Sequence, residues 1–254
     1  MNDAPPYPKA HGLLEDKIVL VTASAGTGIG FATAKRCQEE GATVVLSDRH
    51  ERRLAESAEE LGNVLAVPCD VTDEAQIQNM FDTVIAEHGR LDVLVNNAGL
   101  GGTALISEMT DDQWSSVLDV TLTSCFRATR AAFKHMLPRQ AGVIVNNASV
   151  VGWRAQEGQA HYAAAKAGVM ALTRCAAMEA AKHNVRVNAV SPSLAMHPFL
   201  AKVTTDELLA ELTHREAFDR AAEPWEVANV IVFLASDYST YMTGEIVSVS
   251  NQHP

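Results

Sequence analysis

Short runs of aliphatic and β-branched residues alternate along this chain with longer stretches whose apolar positions recur every three or four residues. The short runs predict strands at 18–21, 43–46, 64–67, 93–95, 143–145, 185–189 and 246–249. The longer stretches predict helices at 31–40, 51–61, 72–88, 111–136, 159–182, 204–217 and 224–234. Gly41 and Gly62 fall where a helix closes through a left-handed residue. The strand runs are continuously apolar rather than alternating, as in strands buried on both faces. Seven strands interleaved with helices require right-handed βαβ crossovers, and so an α/β fold: a doubly wound parallel seven-stranded sheet with helices on both faces. A TIM barrel is the competing architecture. It accounts less well for a glycine loop after the first strand and for the polar motifs that end later strands.

No internal repeat, low-complexity tract or linker interrupts the pattern. Residues 1–12, with Asp3, Pro5, Pro6 and Pro8, read as an N-terminal tail, and residues 13–254 as one domain. The 254 residues are 47% hydrophobic, enough for a sizeable core, which excludes a disordered chain. Acidic side chains outnumber basic ones 31 to 20, a formal charge of −11 that argues against nucleic acid and anionic membranes as partners. No apolar run approaches the roughly 18 residues of a membrane helix, and the start lacks the basic and apolar regions of a signal peptide. Cys37, Cys69, Cys125 and Cys175 are scattered, as in a reduced cytoplasmic protein. The nine histidines show no ligand spacing, so no metal is expected.

The first strand runs into Thr22-Ala23-Ser24-Ala25-Gly26-Thr27-Gly28-Ile29-Gly30. Glycines here permit a tight turn and let the backbone approach a pyrophosphate at a helix N-terminus, the arrangement of a Rossmann-type dinucleotide fold. Thr22, Ser24, Gly26, Thr27, Gly28, Ile29 and Gly30 are the expected contacts. Asp48 ends the second strand 18 residues after Gly30, where a carboxylate bonds both ribose hydroxyls and repels a 2′-phosphate. This favours NAD over NADP, although Arg49 is a guanidinium able to pair with a phosphate. A solvated turn is the bland alternative for Asp48-Arg49.

Tyr162 and Lys166, four residues apart, share one face of a helix. An ammonium beside a phenol favours the phenolate and lowers its pKa from about 10. Ser149 lies 13 residues upstream, just past a strand end, where its hydroxyl can hold a substrate oxygen while Tyr162 exchanges the proton. Alone, a Tyr–Lys pair at this spacing decorates many helices.

Taken together, the Gly26–Gly30 loop, Asp70-Val71, Asn96-Asn97-Ala98-Gly99, Ser149, Tyr162-x-x-x-Lys166 and Val187-Asn188-Ala189-Val190-Ser191-Pro192 resemble the short-chain dehydrogenase/reductase family, in that family's order and over about residues 13–250. The resemblance implies Tyr162 as general acid/base, with Lys166 lowering its pKa and bonding the nicotinamide ribose, and Ser149 orienting the substrate oxygen. It puts Asp70 and Val71 in the adenine pocket and Asn97, Ala98 and Gly99 along the middle of the cofactor. Pro192 and Leu194 then lie beside the nicotinamide, leading into a substrate-covering segment at 193–222. Four positions depart from the family pattern. Ala23 replaces the first glycine of a loop that is one residue longer than usual. Thr121 replaces a helix-kinking asparagine, Ser193 a glycine, and His197 a threonine.

Trp153, Met196 and Phe199 suggest an apolar pocket for a bulky alicyclic or acyl substrate, or else ordinary core. His50 to Leu54 is similar to actinobacterial members acting on steroid-derived or coenzyme A-linked alcohols. His161 and His214 read as structural or surface residues rather than proton carriers. Family members usually form tetramers through long helices, here those near 111–136 and 160–182, so a homotetramer or dimer is expected. The implied activity is hydride transfer between NAD(H) and a secondary alcohol or ketone. An NADPH-dependent 3-oxoacyl-thioester reductase and a non-catalytic nucleotide-binding regulator are the alternatives, and retention of both Tyr162 and Lys166 speaks against the second.

Overall fold

In the computed structural model, residues 4–196 and 206–251 are described. The elements run β1 (Ile18–Thr22), α1 (Ile29–Glu39), β2 (Thr43–Asp48), α2 (Glu51–Glu60), β3 (Ala66–Pro68), α3 (Glu74–His88) and β4 (Val93–Asn96). They continue with α4 (Asp111–Leu118), a π-helical segment (Asp119–Thr123), α5 (Ser124–Arg139), β5 (Gly142–Asn147), α6 (Ala160–Ala180), β6 (Val185–Pro192), α7 (Asp206–His214), α8 (Pro224–Ala235) and β7 (Ile246–Val249).

All seven strands join one parallel sheet in the order β3-β2-β1-β4-β5-β6-β7. The sheet is open, with β3 and β7 at its edges, which removes the barrel alternative. Alternation along each strand divides the core. Val19, Val21, Val44 and Val95 face Phe31, Ala34 and Ile231 on the α1–α8 side. Leu20, Val45, Leu94 and Ile144 face Phe81, Ala132 and Met136 on the α3–α5–α6 side. Two buried faces demand continuous apolar strands, and β1 is buried at all five positions. The strand order reverses between β1 and β4. In such sheets the crevice outside the carboxyl ends of those strands is where ligands bind.

Two elements differ from the sequence expectation in an informative way. The helix expected over 111–136 is interrupted by the π turn. There the Ser124 hydroxyl donates to Val120 O at 2.6 Å. Thr121 turns inward, with its Oγ1 accepting from Leu100 N at 3.0 Å and donating to Leu100 O at 3.3 Å. The helix expected from residue 72 starts two residues later, because the Asp73 carboxylate accepts from Ala75 N and Gln76 N and caps it. The start expected for α7, at residue 204, lies outside the described residues.

Residues 4–12 carry no regular structure, yet they are tied down. Tyr7 donates to Glu39 at 2.8 Å and meets Trp225 edge-on at 5.3 Å between centroids. The buried Glu40 carboxylate accepts from His11 N and Leu13 N.

Candidate active site

The loop after β1 is held from beneath. Ala23 sits at φ +49°, in the left-handed region where glycine is at ease. Its carbonyl and that of Thr22 accept from Asn97 Nδ2 at 3.0 and 3.1 Å. The Thr22 hydroxyl accepts from Asn97 N and Ala98 N, locking β1 to the end of β4. Gly30 is required by space, since a Cβ there would stand 2.3 Å from Ala23 O and 2.5 Å from Asn97 Nδ2. Ser24 is wholly buried, bonded to Val21 O and Ser47 N, so it shapes the loop and presents no side-chain atom to the crevice. Thr22 acts in the same way. Above them, a Cβ on Gly26 or Gly28 would meet only open space. Helix α1 begins at Ile29 with no side-chain cap and no acidic residue in its first turn, leaving its N–H groups and positive dipole end for an anion.

Asp48 is buried at the end of β2, accepting from Ala25 N at 3.2 Å and His50 N at 2.9 Å. The same carboxylate therefore anchors the glycine loop after β1. Ser57, on α2, has a matching task that the sequence did not reveal: its hydroxyl accepts from Gly26 N at 2.9 Å. Asp70 is held well below its usual carboxylate range by the backbone and hydroxyl donors of Thr72. Val71 packs on the α3 side of the core.

Across the crevice lie Ser149, Tyr162 and Lys166. Ser149 follows β5, accepts from Val151 N, and its hydroxyl is hydrogen-bonded to Tyr162. One turn after Tyr162, Lys166 is buried with Nζ 5.6 Å from the tyrosine ring centroid. Its ammonium donates to Asn147 O at 2.5 Å. Gly99 closes the group, since a Cβ there would lie 3.4 Å from Lys166 Nζ and 3.8 Å from Thr121 Oγ1. Asn147 Nδ2 donates to Asn97 Oδ1 at 2.9 Å, which joins the end of β5 to the end of β4 and, through Asn97, to the loop after β1. Asn147 was missed at the sequence level. The available signal was the Asn146-Asn147 pair ending β5, which repeats Asn96-Asn97 at the end of β4.

Electrostatics corrects one expectation. With the protein's own groups alone, burial raises the Tyr162 pKa above 10.0, and only the Ser149 hydrogen bond works against it. Burial lowers Lys166 from 10.5 to about 8. Desolvation thus disfavours both charged forms and outweighs any pull of the ammonium on the phenol.

A nicotinamide dinucleotide fits this donor set. The open face of the glycine loop suits the pyrophosphate, Asp48 the adenosine ribose, and the unspent protons of Lys166 the other ribose. Among the described residues Asn147 Oδ1 is buried with no hydrogen-bond partner, which leaves a further acceptor there. When bound, the dinucleotide supplies a hydride donor or acceptor.

Pro192 ends β6 opposite Val249 of β7, and both backbone polar groups of Leu194 are engaged, N–H with Glu216 and C=O with Ala222. Phe199 and His197 lie outside the described residues. Trp153 is half exposed on the loop after Ser149. An apolar cleft of about 520 Å³ lies on the flank of α6, lined by Leu105, Ile106, Ala155, Gly158, Ala160 and Ala163, and neither Tyr162 nor Trp153 lines it. His161 is buried and His214 is an exposed partner of Asp219. Among the described residues no cluster of His, Cys, Asp or Glu is arranged to hold a metal ion, and no helix is long and apolar enough to cross a membrane.

Comparison with known proteins agrees with this geometry. The family described as enoyl-(acyl carrier protein) reductase matches residues 23–251. A (5R,7aS)-5-hydroxy-7a-methyl-1-oxo-2,3,5,6,7,7a-hexahydro-1H-indene-carboxyl-CoA reductase of Mycobacterium tuberculosis is 63% identical over 257 residues, covering 99% of this chain and 98% of the relative. A 3-oxoacyl-(acyl-carrier-protein) reductase of Thermotoga maritima is 40% identical, covering 93% and 97%. The crystal structure of a short chain dehydrogenase from Mycobacterium smegmatis superimposes with TM-score 0.88 at 56% identity and covers 99% of both chains. The chain belongs to the short-chain dehydrogenase/reductase family and is an oxidoreductase.

Proposed function

We propose that this oxidoreductase interconverts a ring-borne secondary alcohol and its ketone on a coenzyme A-linked alicyclic acid, with NAD(H) as hydride partner. The carrying observation is the Ser149–Tyr162–Lys166 group at the crevice, in a chain 63% identical to a reductase of a hydroindene-carboxyl-CoA. In the oxidative direction Tyr162 Oη, ionised under the positive charge an oxidised dinucleotide would bring, would take the hydroxyl proton as the carbinol hydride leaves for that dinucleotide. In the reductive direction Tyr162 gives its proton to the carbonyl oxygen. Ser149 holds that oxygen throughout, and Lys166, fixed by Asn147 O, is the cation nearest the transferred charge. Asp48, at the adenosine end, supports NAD over NADP.

A second reading, an NADPH-dependent 3-oxoacyl-thioester reductase, is favoured by the 40% identical relative. Assaying the hydroindene-carboxyl-CoA alcohol and a linear 3-oxoacyl-CoA, each with both cofactors, separates the two. Higher kcat/KM for the ring substrate with NAD(H) supports the first. Higher kcat/KM for the linear thioester with NADPH supports the second and removes the first.

A homo-oligomer is part of the same proposal. Trp114, Phe126 and Met178 are large apolar side chains exposed on α4, α5 and α6, where a second copy would cover them.

A further inference from the structure

A buried carboxylate stands where the chain leaves the site. Glu216, two residues past α7, is only 3% exposed. Its Oε2 accepts from Ser193 Oγ at 3.0 Å and its Oε1 from Leu194 N at 3.5 Å. Backbone bonds reinforce the same place: Ser193 N to Val249 O at 3.1 Å, Ala222 N to Leu194 O at 2.8 Å, and Met196 N to Ala222 O at 2.9 Å. A buried carboxylate is costly unless its lone pairs meet donors, so these partners are structural requirements rather than chance contacts. Ser193 is one of the positions that departs from the family pattern, and the chemistry above gives its hydroxyl no task. The Glu216 carboxylate does.

The position matters. Asp48 lies at the end of β2, on one side of β1, and Ser149 and Tyr162 lie beyond β5, on the other. A dinucleotide bound across β1 therefore has its nicotinamide half at β5. β6 is the next strand, paired with β5 as far as Val190 opposite Asn147, with Ala148 N donating to Val190 O, so its exit, Pro192 to Leu194, leaves the sheet at the level of Ser149.

We propose that Glu216 is a positioning residue which, through Ser193 and Leu194, fixes the exit of β6 and sets affinity for the nicotinamide half of the cofactor. This rests on the reading of a dinucleotide across β1, and its test separates the two. Ser193→Ala, Glu216→Gln and the double variant are titrated, without substrate, with NADH or NADPH (whichever the parent protein binds) and with ADP-ribose, which lacks the nicotinamide. Tryptophan fluorescence reports binding. Amide hydrogen exchange at Leu194 and Met196 is measured in the same cofactor-free variants. The expected result is a Kd for the reduced cofactor raised about tenfold in each single variant and no further in the double, with ADP-ribose unchanged and Leu194 exchanging faster. Equal weakening of ADP-ribose, unchanged cofactor affinity, or additive losses would overturn the proposal. Should Glu216→Gln fail to fold, Ser193→Ala alone decides, since it removes one hydroxyl and leaves the carboxylate its other contacts. A parent protein that binds neither dinucleotide nor ADP-ribose ends both this proposal and the reading beneath it.

Discussion

Asn147 Nδ2 donates to Asn97 Oδ1 at 2.9 Å, while the carbonyl of the same Asn147 accepts from Lys166 Nζ at 2.5 Å. Asn97 in turn holds the carbonyls of Thr22 and Ala23 beneath the phosphate loop. One residue thus links the glycine loop after β1 to Lys166, which in the proposed function are the phosphate-binding and proton-moving halves of the site. Asn147→Ala should raise the cofactor Kd by about tenfold, and Asn97→Ala by a similar factor. The double variant should lose little more than either single one, because both cut the same chain of bonds. Isothermal titration of the four proteins measures this, and full additivity would show that the two residues act separately.

Gly30 leaves no room for a methyl group. Gly30→Ala puts a Cβ 2.3 Å from Ala23 O, so the loop must shift. Cofactor Kd should rise at least tenfold, and thermal stability should fall by about 1–3 kcal/mol for overpacking. Unchanged binding would mean that the loop relaxes freely.

Asp48 accepts from Ala25 N and, in the proposed function, also faces the adenosine ribose, and a variant should reveal both. In Asp48→Ala the NADP:NAD ratio of kcat/KM should rise by about tenfold or more, as the repulsion of a 2′-phosphate disappears. kcat/KM with NAD should also fall, because Ala25 N loses its acceptor. An unchanged ratio would mean that Asp48 serves the loop alone.

Lys166 makes stability depend on pH in a defined direction. Its folded pKa, about 8, lies below the ordinary 10.5, so the unfolded chain binds the extra proton between those values. Stability of the cofactor-free protein should therefore rise as pH goes from about 8 toward 10.5. Lys166→Met should be more stable than the parent at pH 7, and the difference should shrink on moving to pH 10. Denaturant unfolding at the two values tests it. A constant difference would show that Lys166 titrates normally.

The strands were legible because doubly buried strands must be apolar throughout, and all seven appear near their expected places. The Tyr162–Lys166 spacing was legible because helical geometry alone puts both side chains on one face. The π turn at 119–123 was not, because it depends on the Thr121 hydroxyl reaching Leu100, 21 residues away in sequence. Ser57, Asn147 and Glu216 were missed for the same reason, since each acts through a partner on another element. The burial that raises the Tyr162 pKa in the cofactor-free protein was not legible, because sequence spacing reveals a neighbouring charge but not the loss of water around it.

The most direct test of the account is Tyr162→Phe, which removes one oxygen and keeps the ring. With the hydroindene-carboxyl-CoA alcohol and NAD, kcat should fall by about 100-fold or more, while the cofactor Kd measured without substrate stays within about twofold of the parent. A variant that binds cofactor and keeps more than about a tenth of the parent kcat would contradict the assignment of Tyr162 as the group that carries the proton.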